Sequence, residues 1–123
     1  MTRNPSGPLG ERACAQHLRK KGYRILDADY RTRFGEIDMI AEKGPYIVFV
    51  EVKTRGPQAI ASPMEAVTPA KQQKLVRTAS LYLSAHPCTL QPRFDVMEVE
   101  MTAQGTVRKI RHLKNAFDTQ DYG

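Results

Sequence analysis

Residues 46–54, YIVFVEVKT, place apolar side chains at consecutive positions. A strand shows consecutive side chains to opposite faces, so such a run is satisfied only where both faces are covered. It predicts a central strand between two layers, and a chain of 123 residues can bury one such core. Yet Glu51 and Lys53 interrupt the same run, both on one face of the strand. A further acid, Asp38, falls in the apolar stretch FGEIDMIAE (34–42) just before it. A buried carboxylate loses its solvation unless something pairs with it. These three charges therefore need a physical reason.

The flanking sequence gives the rest of the architecture. From Leu9 or Gly10 to Lys21 the pattern suits a helix, with Leu9, Ala13, Cys14 and Leu18 on one face and Gly22 ending it. YRILDADYR (23–31) and FGEIDMIAE (34–42) read as strands, with Gly35 as a bulge or bend. GPQAIASP (56–63) reads as a loop. Helix returns over 64–86, where Thr68 suits an N-cap and Pro69 the first helical position. Leu75, Ala79, Tyr82 and Leu83 form its apolar stripe, Lys71, Lys74 and Arg77 lie off that stripe, and Pro87 stops the helix. RFDVMEVEM (93–101) alternates as a strand, and the charges of TVRKIRHL (106–113) suit an edge strand. The order is α-β-β-β-α-β-β. The helix between the third and fourth strands is long enough for a crossover, which makes those two strands parallel. The expected fold is α/β in the mixed α+β sense: a mixed central sheet flanked by helices. It forms one domain over 10–118, with tails at 1–9 and 119–123.

Register decides what the charges do. If KGPY (43–46) is a four-residue loop, Glu42 meets Ile47, Ile40 meets Phe49, Asp38 meets Glu51 and Glu36 meets Lys53. A three-residue loop would put Val50 opposite Asp38 and send Glu51 to the other face. In the first register two acids face each other, which is unfavourable by itself. A divalent cation would offset that repulsion, because Mg²⁺ is a hard ion that takes carboxylate oxygens. Asp38, Glu51 and the backbone carbonyl of Val52 are the candidate ligands. Lys53, on the same face, is placed to orient an attacking water or stabilise phosphoryl charge. The chemistry implied is metal-assisted phosphodiester hydrolysis. The spacing also admits a structural reading. In that reading Asp38 and Lys53 form a diagonal ion pair, Glu36 also neutralises Lys53, and Glu51 is open to solvent.

A net charge of +6 favours a polyanionic partner. Arg31, Arg33 and Arg55 flank the acidic centre along the chain, and Lys71 and Lys74 fall on the helix after the third strand. All five are candidate phosphate contacts, and each also reads as an ordinary surface cation. Asp95, close to Arg93, reads as structural. His17, His86 and His112 show no ligand spacing. Cys14 and Cys88 form no CxxC or Cys/His cluster and read as reduced, partly buried thiols. Tyr30 and Phe34 suit core packing better than base stacking. No phosphate-cradling GxxxxGK[ST] and no GxSxG occurs. No apolar run approaches the ~18 residues of a membrane span. MTRNPSGPLGERA has no apolar h-region, so the expected location is the cytoplasm, with no membrane partner.

GEIDMIA and then VFVEVKTR closely resemble the signature of the YraN-like proteins, the uncharacterised protein family 0102. Those proteins are similar in turn to the restriction-endonuclease-like superfamily, and within it to archaeal Holliday junction resolvases. GERACAQHLRKKGYRIL looks like the family's opening helix and first strand, MEAVTPAKQQKL like its second helix, and RFDVMEVE with IRHLKNAF like its last strands. The resemblance implies a restriction-endonuclease-like αβββαβ(β) core. By position, Asp38, Glu51 and Lys53 match the superfamily's catalytic core. Glu11 matches the additional helical glutamate of the junction resolvases, though a first-turn acid also complements the helix dipole. The resemblance further implies a Mg²⁺- or Mn²⁺-dependent endonuclease acting on DNA, branched DNA included, with a homodimer expected by analogy. The alternatives are a nucleic-acid-binding module that does not cut, and a protein-interaction domain. Asp29 stands near where members often show Asn, and SPMEAV comes after AIA where a Gly is common. Both departures are expected to affect a loop that meets substrate and to leave the metal face untouched.

Overall fold

A computed structural model describes residues 7–57 and 67–117. Helix α1 (Gly7–Lys20) leads into strands β1 (Arg24–Thr32), β2 (Gly35–Lys43) and β3 (Tyr46–Arg55). Helix α2 (Pro69–Ala85) then crosses to β4 (Gln91–Met101), and β5 (Val107–Leu113) completes the order. The five strands form one sheet in the order β1-β2-β3-β4-β5, so β3 is central. The β3–β4 pair is parallel and the other three pairs are antiparallel. This is the mixed sheet with flanking helices that the sequence predicts. Helix α1 begins at Gly7, so positions 7–9 of the expected tail are helical instead. The rest of the expected tails falls at 1–6 and 119–123, and much of the loop at 56–63 and the start of the 64–86 helix falls at 58–66. All of these lie outside the described residues.

Each helix covers one face, which accounts for the double-sided character of β3. Val48 and Val50 pack with Cys14 and Leu18 of α1. Ile47 and Phe49 pack with Leu75, Ala79 and Tyr82 of α2. Phe49 is 1% exposed, and truncating such a side chain to alanine costs about 3–5 kcal/mol. Thr68 caps α2 by accepting from the Lys71 backbone N–H at 3.3 Å, and Pro69 sits in the first turn. The β2–β3 connection closes at Lys43–Tyr46 with Gly44 at φ 57. The looping residues are therefore Gly44 and Pro45, and the register is the one a KGPY connection predicts.

Two expectations need correction. Leu9 does not join the apolar face of α1, being 40% exposed. Its neighbour Gly10 is buried instead, because the first turn of α1 lies against the sheet. A Cβ on Gly10 would sit 2.8 Å from Thr54 Oγ1, closer than any side chain allows. Nor are the two cysteines alike: both are free, with Cys14 buried and Cys88 exposed.

Candidate metal and phosphate site

The β2–β3 ladder holds from Lys43–Tyr46 to Met39–Val50 and then stops. Asp38 comes next on β2 and Glu51 next on β3. Two positions beyond Val50, the backbone N–H of Val52 donates to Asp38 Oδ2 at 2.8 Å. A carboxylate thus stands in the fork where the strands part.

The alternation of β2 breaks at the same place. Ile37 and Ile40 both belong to the α2-side core, while Met39 and Ala41 belong to the α1-side core. Regular alternation would put Ile37 with Met39. The irregularity is shared by β1. Its pairs run Ala28–Met39 and then Tyr30–Ile37, so Asp29 is the register partner of Asp38. Asp29 has φ 53, a left-handed conformation that Asp tolerates better than most residues. The kink brings three acids together. One carboxylate oxygen from each of Glu11, Asp29 and Asp38 lies within 4.8 Å of the other two. Glu11 reaches this cluster because glycine at position 10 lets α1 approach Thr54 and Val99 so closely. Cys14 records the same charges: its thiol is pushed up to about 12 by burial first, then by Asp38 and Glu11. It is therefore no nucleophile.

Glu51 meets this cluster through Asp38. Burial first, then the hydrogen bond to Asp38 and that acid's charge, push the Glu51 carboxyl up to about 9, against the opposing pull of Lys53 and Lys71. Lys71, on the first turn of α2, has its own amine lowered chiefly by side-chain hydrogen bonding with Lys53, and then by burial. Two lysines and two acids thus share one corner, and the Lys71 backbone N–H donates to Thr68 Oγ1 at the cap of α2.

The remaining candidates divide. Arg33 and Lys74 are exposed. Arg31 pairs with Glu36, Nε to Oε2 at 3.2 Å, so the structural reading in which Glu36 neutralises Lys53 does not hold, because the ladder ends before those two residues meet. Arg55 is committed to the buried Glu98, Nε to Oε2 at 3.3 Å. Asp95 is structural, as its neighbourhood suggests. It accepts from Arg93 Nε at 2.9 Å and Nη2 at 2.8 Å, and from the Asn115 N–H at 2.9 Å, with His112 Nε2 at 2.6 Å.

Sequence reading misses two residues. Glu98 stands beside Lys53 in the parallel register, a pairing that needs the β3–β4 alignment. Sequence reading also sets Asp29 apart from the metal face, and the structure overturns that. The signal is present in the chain: counting back from Thr32–Gly35 across a two-residue turn pairs position 29 with 38. The other departure, SPMEAV, falls at 62–67, of which only Val67 is described; it is buried in the α2-side core.

The chemistry of the donor set fits a hard divalent cation. Glu11, Asp29 and Asp38 offer clustered oxygens, and Glu51, whose carboxyl is pushed up by burial and then by Asp38, would give up its proton to a cation bound there. No helix among the described residues is long and apolar enough to cross a membrane.

A family model described as "Uncharacterised protein family UPF0102" matches residues 10–99. Relatives described as UPF0102 proteins align over most of both chains. One from Alkaliphilus metalliredigens is 50% identical over 112 residues, covering 90% of this chain and 96% of the relative. One from Caldanaerobacter subterraneus subsp. tengcongensis is 46% identical over 113 residues, covering 90% and 93%. A third, from Symbiobacterium thermophilum, is 50% identical over 112 residues, covering 90% and 94%.

Proposed function

The chain belongs to the uncharacterised family UPF0102, and from that premise we propose that it is a metal-dependent endonuclease hydrolysing phosphodiester bonds in DNA, branched DNA included. The observation that carries this reading is the cluster of carboxylate oxygens from Glu11, Asp29 and Asp38 within 4.8 Å of one another, with Glu51, Lys53 and Lys71 as electrostatic neighbours of that site. Asp38 and Glu51 would hold Mg²⁺ or Mn²⁺, with the Val52 carbonyl as a further ligand and Glu11 and Asp29 as accessory acids. Bound there, the ion supplies Lewis-acid charge for the phosphoryl oxygens and favours ionisation of water.

The chain's own groups do the rest. Asp38 is held by the Val52 N–H, so its other oxygen has a fixed direction. Lys53 brings a cation to the attacked phosphate or orients the incoming water, and Lys71 extends that positive charge along α2. Arg33 and Lys74 are exposed, and neighbouring phosphates would be neutralised by them. Arg55 acts instead by holding Glu98, and Arg31 by holding Glu36. Homodimerisation would suit symmetric cutting of two strands.

The test is incubation with linear, nicked and four-way-junction DNA plus Mg²⁺ or Mn²⁺. Wild type should cleave at least one substrate, and Lys53→Ala should cut roughly 100-fold or more slowly. No cleavage of any substrate by clean wild type would overturn the enzyme reading and leave a nucleic-acid-binding or protein-interaction module of the same fold. Activity that persists undiminished in the variant would point to a contaminant.

A further inference from the structure

The β1–β2 hairpin turns at Arg33 and Phe34, since Thr32 and Gly35 are its last pair. Two-residue hairpin turns favour Gly, Asn and Asp, which take positive φ without strain. Neither Arg33 nor Phe34 is such a residue, and neither has positive φ. The turn is held by other means. Thr32 Oγ1 accepts from the Phe34 N–H at 3.1 Å and donates to the Gly35 carbonyl at 3.2 Å. Gly35 rests on α2, where a Cβ would lie 3.6 Å from Thr78 Oγ1 and 3.8 Å from the Lys74 Cβ. The tip is thus a braced platform.

Phe34 is the aromatic on that platform. The other three phenylalanines, Phe49, Phe94 and Phe117, all pack into the α2-side core, and Phe34 belongs to neither core. It is partly exposed. The guanidinium carbons of Arg33 and Arg77 lie 5.0 Å and 5.8 Å from its ring centroid. A partly exposed ring, outside both cores and flanked by two planar cations, thus stands at a turn tip. Along α2, Arg77, Lys74 and Lys71 lie at three-residue intervals, so one helical face runs from the Phe34 tip toward Lys53 and Glu51.

We infer that Phe34, with Arg33 and Arg77, is a stacking platform for an unpaired base, and that the preferred substrate is nucleic acid with an unstacked nucleotide at a nick, flap or branch. The inference rests on the nucleic-acid part of the proposed function and names the structural class of DNA this site takes. An aromatic ring and guanidinium planes stack on any base face, and the cations also neutralise adjacent phosphates. A base inside a continuous duplex cannot present its face, so the platform discriminates by DNA structure and ignores sequence. Phe34 would position the strand and take no part in the chemistry.

The experiment is fluorescence anisotropy on the full chain with chelator present, so that binding is read without cleavage. Two labelled DNAs are compared: a continuous duplex, and one of equal phosphate count carrying a single-nucleotide bulge. Wild type should prefer the bulged DNA, and Phe34→Ala should lose roughly 10-fold in affinity for it while duplex affinity and salt dependence stay unchanged. Phe34→Trp should keep the preference, and unchanged melting of both variants would exclude a folding defect. Equal losses on both DNAs, or none, in Phe34→Ala would overturn the inference with the nuclease reading intact. A bulge preference that depends on Phe34 in a protein that never cuts would uphold it while the nuclease reading fails. If wild type bound neither DNA, both would fall.

Discussion

Asp95 and Glu51 are one register position apart on neighbouring strands, Asp95 beside Val50 and Glu51 beside Val96. Burial pushes on both carboxyls in the same direction. Asp95 is 1% exposed, yet His112, Arg93 and the Asn115 N–H outweigh its burial and hold it below the ordinary carboxylate range. Glu51 has an acid as its hydrogen-bond partner and is pushed up to about 9, by burial first and then by Asp38. The partners, not the depth, decide in which direction a buried carboxyl shifts. Asp95 is satisfied by cations of its own chain. In the Asp38–Glu51 pair an acid faces an acid, which suits a cation brought from outside.

The comparison can be broken from either side. The largest effect is expected at Asp95. Asp95→Ala strands Arg93 and His112 and should cost about 3–5 kcal/mol of unfolding free energy, read from urea melts. Removing an acid from the other cluster should do the reverse. Glu51→Gln should melt higher than wild type at pH 8 without metal, because the glutamate must take up a proton to fold and the neutral amide need not.

The pH profile separates the two acids by sign. Unfolded, Glu51 loses its proton near its ordinary value of 4.5, whereas folded it keeps it to about 9. The unfolded chain binds fewer protons across that window, so metal-free stability should fall as pH rises through it. Asp95 is lowered from 3.8, so its contribution is present above that value and is lost as pH falls below it. Glu51→Gln should flatten the alkaline limb alone, and Asp95→Ala the acid limb alone. Thermal melts from pH 3 to 9 check this, and an alkaline limb unchanged in Glu51→Gln would refute the assignment.

Mg²⁺ should erase the penalty at the Asp38–Glu51 pair. At roughly 100 times its Kd it should stabilise the wild type by about 3 kcal/mol, and Asp38→Ala should abolish that shift. Gly10→Ala probes how Glu11 is delivered. Its Cβ would collide with Thr54 Oγ1, so about 1–3 kcal/mol of stability should be lost and the Mg²⁺ shift should shrink with it. The smallest effect is Thr68→Ala, which should cost about 1 kcal/mol through the α2 cap.

Much of the candidate site is legible in the sequence because strand geometry is simple. The KGPY connection fixes which residues of β2 and β3 meet, and consecutive apolar residues in YIVFV require two covered faces. The hairpin register puts Asp29 opposite Asp38, but a period of two gives no warning of the left-handed backbone at Asp29 that goes with it. Arg55 reads as a phosphate contact because its buried partner Glu98 comes from β4, 43 residues away in sequence. Arg31 reads the same way, although Glu36 lies only five residues on, because turn geometry has to bring them together.

The sequence by itself determined the element order, the central place of β3, the cap of α2 and the choice of Asp38, Glu51 and Lys53 as the charges that needed explaining. Those come from local propensity and from the two periods of backbone structure. The packing of distant elements decided how closely Glu11 approaches Asp29 and Asp38, that Lys71 meets Lys53, and that Asp95 has cations for partners where Glu51 has an acid. Each of these depends on side chains from elements distant in sequence sharing one low-dielectric space. Periodicity along the chain carries no information about that.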